Sequence, residues 1–380
     1  MSRANHLRAA LGRRAWSMAI VALALLSAAF CALRSEALPR YSARYGQRCG
    51  LCHVNPAGGG MRTAYTSRQL VPDEIAWSSG AADSLYLPDP QITRSISIGA
   101  DFREMYVGSN RSLHNLDFFQ MQGDLYLAFQ LDAKVALYVD HGMSNSHELF
   151  GIAYVLPWTG YVKAGRFVPS YGWKFDDHTM VVRGDLGFAP PSNSDAGAEL
   201  GLQPGPFDLQ LGLSNGNRGS TLDNDRDLAE SFNATYRLRA AGINAAAGGQ
   251  GWHQRTPQVT LDVGGVRGYA SVRGVTWLGE ADLARTTQRA SGARTTGLAK
   301  SHEVSAVVHQ GLEVVGTYDF LDPDRHLRSG ARSRWGIGVQ LMPRSYAAIG
   351  AAFRATRVDA GPAIPNDEFN EALVQLHLLY

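Results

Sequence analysis

The 380-residue sequence predicts an all-β fold: a transmembrane antiparallel β-barrel of about sixteen strands behind a short N-terminal segment. Three observations predict it. From about Gln91 to Tyr380 apolar and polar residues alternate with period two, the signature of a strand with two unlike faces. The alternating runs are joined by short and long connections in turn. The last run ends the chain on an aromatic, Leu376-His377-Leu378-Leu379-Tyr380.

Residues 1–37 read as a secretory signal peptide. Arg3, Arg8, Arg13 and Arg14 form a basic region, residues 16–33 are uncharged and apolar, and Ser35-Glu36-Ala37 offers a cleavage site. The apolar run is also close to transmembrane length, so an uncleaved inner-membrane anchor is the alternative. Removing residues 1–37 takes away five Arg and one Glu, so the formal net charge falls from +2 to −2. A nearly neutral exported chain argues against a nucleic-acid partner.

Residues 38–90 carry the pentapeptide Cys49-Gly50-Leu51-Cys52-His53. C-x-x-C-H is the attachment pattern of a covalent c-type haem. The two thiols form thioethers with the macrocycle, and the adjacent histidine ligates iron. Cys31, the third cysteine, falls in the signal region, so the mature chain keeps only the motif pair. A redox disulfide lacks its βαβ setting here. A zinc site lacks its second pair of ligands. The expected site is therefore one haem c on Cys49 and Cys52 with His53 on the metal. Met61, beyond Gly58-Gly59-Gly60, is a candidate sixth ligand. A histidine of the barrel region is the alternative, from among His114, His141, His147, His178, His253, His302, His309, His326 and His377. Arg44, Arg48 and Arg62 are candidate partners for the propionates. So short a segment cannot bury much of a core alone. It is expected to lean on the barrel, partly inside the periplasmic mouth.

Residues 91–380 form the barrel. In residues 117–132 Phe119, Met121, Gly123, Leu125, Leu127, Phe129 and Leu131 alternate with Phe118, Gln120, Gln122, Asp124, Tyr126, Ala128 and Gln130, one face apolar and the other mostly polar. Trp335, Ile337, Val339 and Leu341 alternate with Arg334, Gly336, Gly338 and Gln340. Polar positions such as Gln120, Gln122, Asp124, Lys134, Arg334 and Gln340 are assigned to the lumen. Seven short turns are expected, at Asp132-Ala133, Pro157-Trp158-Thr159-Gly160, Gln203-Pro204-Gly205-Pro206, residues 239–242, Val266-Arg267-Gly268, Gln310-Gly311 and Met342-Pro343-Arg344-Ser345. Long loops are expected at residues 171–192, 215–227, 285–300, 322–332 and 358–370. With both termini on the short-turn side this gives sixteen strands. An extracellular sandwich or propeller is the competing class. Asp176-Asp177-His178, and Asp223 with Asp225 and Asp227, read as solvated loop, with a transient cation site as the alternative.

An exported C-x-x-C-H followed by such a barrel, on Cys49, Cys52 and His53, resembles the fused monohaem cytochrome–porin family. The terminal strand is similar to the end signal of bacterial outer-membrane proteins. The glycine-rich stretch after His53 departs from the iron-oxidiser pattern of that family, which leaves the electron donor open. The resemblance implies an outer-membrane electron conduit, with the haem segment on the periplasmic side. Its implied partners are the outer-membrane bilayer, a periplasmic electron carrier and an extracellular donor or acceptor. If it is an enzyme, the implied class is an outer-membrane cytochrome oxidoreductase, acting on iron or another extracellular donor. The alternatives are a solute porin with a structural or sensory haem, and a soluble periplasmic β-rich cytochrome. Lumen occupancy separates the first two: a plugged barrel fits electron transfer, an open one fits transport.

Overall fold

Each strand pairs antiparallel with its neighbour in sequence, and β1 pairs with β16, so the sheet has no free edge. Closure removes the unpaired backbone groups that lipid could not satisfy. The computed structural model describes residues 39–77, 89–111, 116–142, 147–189, 193–218, 223, 225–327, 329–361 and 366–380. The signal-peptide reading and His114 lie outside them. The strands are β1 Ile96–Ser109, β2 Leu116–Gln130, β3 Val135–Gly142, β4 His147–Leu156, β5 Gly160–Phe167, β6 Asp195–Leu202, β7 Phe207–Ser214 and β8 Ala229–Ala240. They continue with β9 Ile243–Arg255, β10 Val259–Val272, β11 Val275–Gln288, β12 Arg294–His309, β13 Leu312–Asp322, β14 Arg332–Arg344, β15 Ala347–Val358 and β16 Asp367–Leu379.

The two faces are inverted relative to a soluble protein. Leu125, Leu137, Leu149, Leu211, Val266, Trp335 and Ile337 are exposed on the outer wall. Asp101, Arg103, Lys163, Glu199, Glu280, Asp282, Glu303 and Glu313 are buried on the inner one.

Two predicted connections are corrected. Val266-Arg267-Gly268 lies inside β10, and the turn is Arg273-Gly274, with φ of 48° and 82°. Two consecutive positive φ values make the tight hairpin turn that matches strand twist. Residues 285–300 are not a long loop: β11 and β12 run on to Gln288 and from Arg294. Gln120 is also reassigned. The β1–β2 register shifts between Arg103 and Glu104, where Gln122 and Gln120 are the successive partners. The extra residue, Met121, turns Gln120 to the outer face. Lys134 is exposed beside the β2–β3 turn, at the short-turn mouth.

The lumen is filled from both ends. Residues 39–77 form a plug made of α1 Pro39–Tyr45, the single turn α2 Cys49–Cys52 and a π-helix, Thr66–Ile75. The plug meets the barrel at its short-turn end. Arg48 donates to the Gly205 carbonyl at 2.5 Å, the Trp77 amide to Met342 at 2.7 Å, and Gln310 to the Ala76 carbonyl at 2.8 Å. Deeper in, Arg40 reaches Glu303 and Glu313 at 3.1 Å each, and Arg44 also pairs with Glu313. From the opposite end the β5–β6 connection folds inward. Tyr171 donates to Asp282 at 2.7 Å and the Trp173 amide to Glu280 at 2.5 Å. Ala43 of the plug shares an apolar core with Trp173, Phe175, Met180, Val181 and Val182 of this loop.

Candidate functional site

A cavity lies between plug and inward loop, and Cys49, Cys52 and His53 line it. One helical turn puts the two cysteines on one face. Both thiols are free. Cys52 is buried, its thiol 3.6 Å from Gln47 Oε1. His53 leaves the turn in extended backbone, with φ −120° and ψ 148°, and its amide caps Cys49 O at 2.8 Å. The chain then doubles back, with the Val54 amide donating to Met61 O at 3.0 Å and His53 bridged to Arg62.

Three glycines make that return possible. Gly58, Gly59 and Gly60 all have positive φ, from 66° to 83°. A Cβ on Gly60 would stand 2.2 Å from the Tyr138 hydroxyl. That hydroxyl accepts the Met61 amide at 3.1 Å, tying the turn to β3. The Gly60 carbonyl stands 3.2 Å from His53 Nδ1. A carbonyl can only accept, so Nδ1 carries the proton in this contact, the tautomer of an Nε2-ligating imidazole. Two free thiols and a following histidine are the groups that a covalent haem would need, and this carbonyl holds the histidine's Nδ1–H.

The cavity wall is rich in cations. Arg62 from the plug and Arg183 from the inward loop are both buried, and burial lowers each guanidinium to about 10. Arg62 Nε and Nη2, Arg183 Nε and Arg267 Nε are buried without hydrogen-bond acceptors. A buried, unmatched guanidinium N–H is costly and marks a place for an anionic group. Of the three arginines expected to meet propionates, Arg62 fits. Arg48 lines the cavity but holds Asp208 at 2.8 Å. Arg44 is engaged by Glu313, away from the cavity.

Met61 is 1% exposed and packs in the wall with Tyr126, Tyr138, Phe150 and Phe167. It is not among the residues lining the cavity. Asp176-Asp177-His178 is not a solvated loop. Asp176 pairs with Arg103 and Asp177 with Arg354, both at 2.5 Å. Burial pushes the Asp177 carboxyl up, but Arg354 and Arg334 outweigh it and hold it below the usual range. Lys174 and His178 of the same loop also line the cavity. Burial lowers the Lys174 ammonium to about 8, and Lys174 donates to the Gly58 carbonyl at 2.7 Å. Sequence reasoning missed Arg183 and Arg267. The apolar run Met180-Val181-Val182 beside Arg183, out of place in a solvated loop, was the available signal. Among the described residues no cluster of three or more His, Cys, Asp or Glu side chains forms a separate metal site.

No family model and no curated protein matches the sequence. Solved structures do match the fold. An anion-selective porin from Comamonas acidovorans superposes with a TM-score of 0.56 at 10% identity, over 75% of this chain and 99% of that one. The outer-membrane protein OmpT of Vibrio cholerae gives 0.57 at 10% identity, over 75% and 97%. OprB of Pseudomonas putida gives 0.56 at 8% identity, over 75% and 94%. The chain is thus similar in fold to sixteen-strand outer-membrane porins: a closed, antiparallel barrel with a small helical segment at its N-terminal end.

Proposed function

We propose that this chain sits in the outer membrane, carries one covalent haem c on Cys49 and Cys52 with His53 on the iron, and relays electrons between an extracellular donor or acceptor and a periplasmic carrier. The observation that carries the reading is where the pentapeptide lies. Its thiols and His53 open into a cavity inside the lumen, under a three-glycine turn whose carbonyl fixes the His53 tautomer. When bound, the haem supplies a one-electron redox station. The chain does the rest. The Gly60 carbonyl orients His53, Arg62 and Arg183 offer unmatched N–H groups to the propionates, and the Trp173 and Phe175 core limits water. A bilayer core is about 30 Å thick, more than one haem spans. The plug lies at the short-turn mouth, the periplasmic end in this reading. A partner therefore has to approach from the long-loop side.

The second reading is a solute porin whose haem is structural or sensory. The fold comparisons favour it, since the matching structures are porins and channels. Against it stands the filling of this lumen by plug and inward loop. Haem staining after denaturing electrophoresis tests the shared premise. A stained band that survives acid-acetone extraction and is lost in a Cys49→Ala, Cys52→Ala variant supports covalent haem. An unstained wild-type band refutes it.

A further inference from the structure

The cavity offers the iron a second ligand that the pentapeptide does not supply. We propose that His178 of the inward loop would be that ligand, together with His53, so that a bound metal would tie the plug to the loop closing the barrel. This rests on the haem reading above.

The choice follows from what each nearby donor is already doing. Besides His53, only His147 and His178 line the cavity among the described histidines. His147 is half-buried at the start of β4, and its ring is already engaged, stacked on His141 at 4.7 Å. His377 is buried but bonded to Asp101 at 2.8 Å and to Arg103 at 3.1 Å, and it does not line the cavity. Met61 is held in the wall cluster, and Met180 in the apolar core of the loop. Lys174 reaches the cavity with its ammonium directed to the Gly58 carbonyl.

His178 differs from all of them. Its flanks are anchored, by Asp176 on Arg103 and by Asp177 on both Arg354 and the Thr179 amide. Its own ring makes no hydrogen bond among the described residues, and it faces the cavity that His53 faces. An imidazole in a fixed place with an unused lone pair is a ready iron ligand, already ordered before the metal arrives. Two imidazoles also give a lower potential than a Met/His pair. The anchors matter for the same reason: they hold the loop inward whether or not the bond to iron is made.

The test uses the full-length holoprotein in detergent, read by optical absorption, electron paramagnetic resonance and redox titration. The wild type is expected to be low-spin with two nitrogen ligands and no sulfur-to-iron charge-transfer band. His178→Ala should become high-spin and return to low-spin on added imidazole. His178→Met should create the sulfur-to-iron band and raise the potential, which a misfolded protein would not do. Met61→Leu should leave the wild-type spectrum unchanged. A wild-type sulfur-to-iron band that disappears in Met61→Leu overturns the assignment, as does a His178→Ala spectrum identical to wild type. A stained, covalent haem with an unchanged His178→Ala spectrum refutes this ligand alone. No haem at all refutes the function with it.

Discussion

Arg40→Ala should open the barrel. The guanidinium sits between Glu303 on β12 and Glu313 on β13, 3.1 Å from each, and the side chains are 4%, 7% and 4% exposed. Removing one member of a buried ion pair leaves an unmatched charge and costs about 3–5 kcal/mol. Glu313 keeps Arg44, so the low end applies, and the loss falls on the docked plug because only docking brings Arg40 to these carboxylates. At about 1.4 kcal/mol per tenfold, some 3 kcal/mol raises the undocked fraction roughly a hundredfold. Single-channel recording in planar bilayers reads this directly. The wild type should stay near closed, and Arg40→Ala should show frequent porin-sized openings. The double variant Arg40→Met, Glu303→Gln should recover part of the closure, since an uncharged pair leaves no stranded charge. Identical traces for wild type and Arg40→Ala would show that this ion cluster does not hold the barrel shut.

Gly60→Ala should cost about 1–3 kcal/mol of plug stability from backbone strain alone. It should also reduce haem loading, read by haem content per protein, because the Cβ meets the Tyr138 hydroxyl and displaces the carbonyl facing His53. Gly165→Val should block folding, seen as loss of the heat-dependent gel shift, since φ there is 132° and a Cβ lands 2.3 Å from the Leu149 carbonyl on β4. Burial lowers the Lys174 ammonium from 10.5 to about 8, so within that window the folded chain binds fewer protons than the unfolded one. Stability should therefore rise with pH from about 8 to 10.5 and be flat in Lys174→Met, by thermal unfolding in detergent.

The barrel was legible because period two survives burial on either side. Phe129, Trp335 and Ile337 announce strands whatever they face. Errors arose where one local signal stands for two structures. Arg267-Gly268 and Arg273-Gly274 are both turn-like dipeptides, and only strand length and pairing choose the second. The ends of β11 and β12 are rich in Arg, Thr and Gly, as loops are, yet they pair in register from Val275 opposite Ala306 to Thr287 opposite Arg294. Cys49, Cys52 and His53 stand out as a candidate site because their spacing matches a haem-attachment pattern. The other wall of the cavity could not. Asp176, Asp177 and His178 look solvated until Arg103 on β1 and Arg354 on β15 draw them inside, and these residues are distant in sequence. Met61 looked available for the matching reason: nothing local shows that Tyr126, Tyr138 and Phe150 close around it.

Electron transfer across a sealed membrane tests the central claim most directly. Proteoliposomes holding the full-length protein would enclose a redox dye and receive an impermeant donor outside. The account predicts dye reduction with little ion conductance, lost in His53→Ala although that barrel still inserts. A large steady conductance without dye reduction, or a His53→Ala rate equal to wild type, would contradict it.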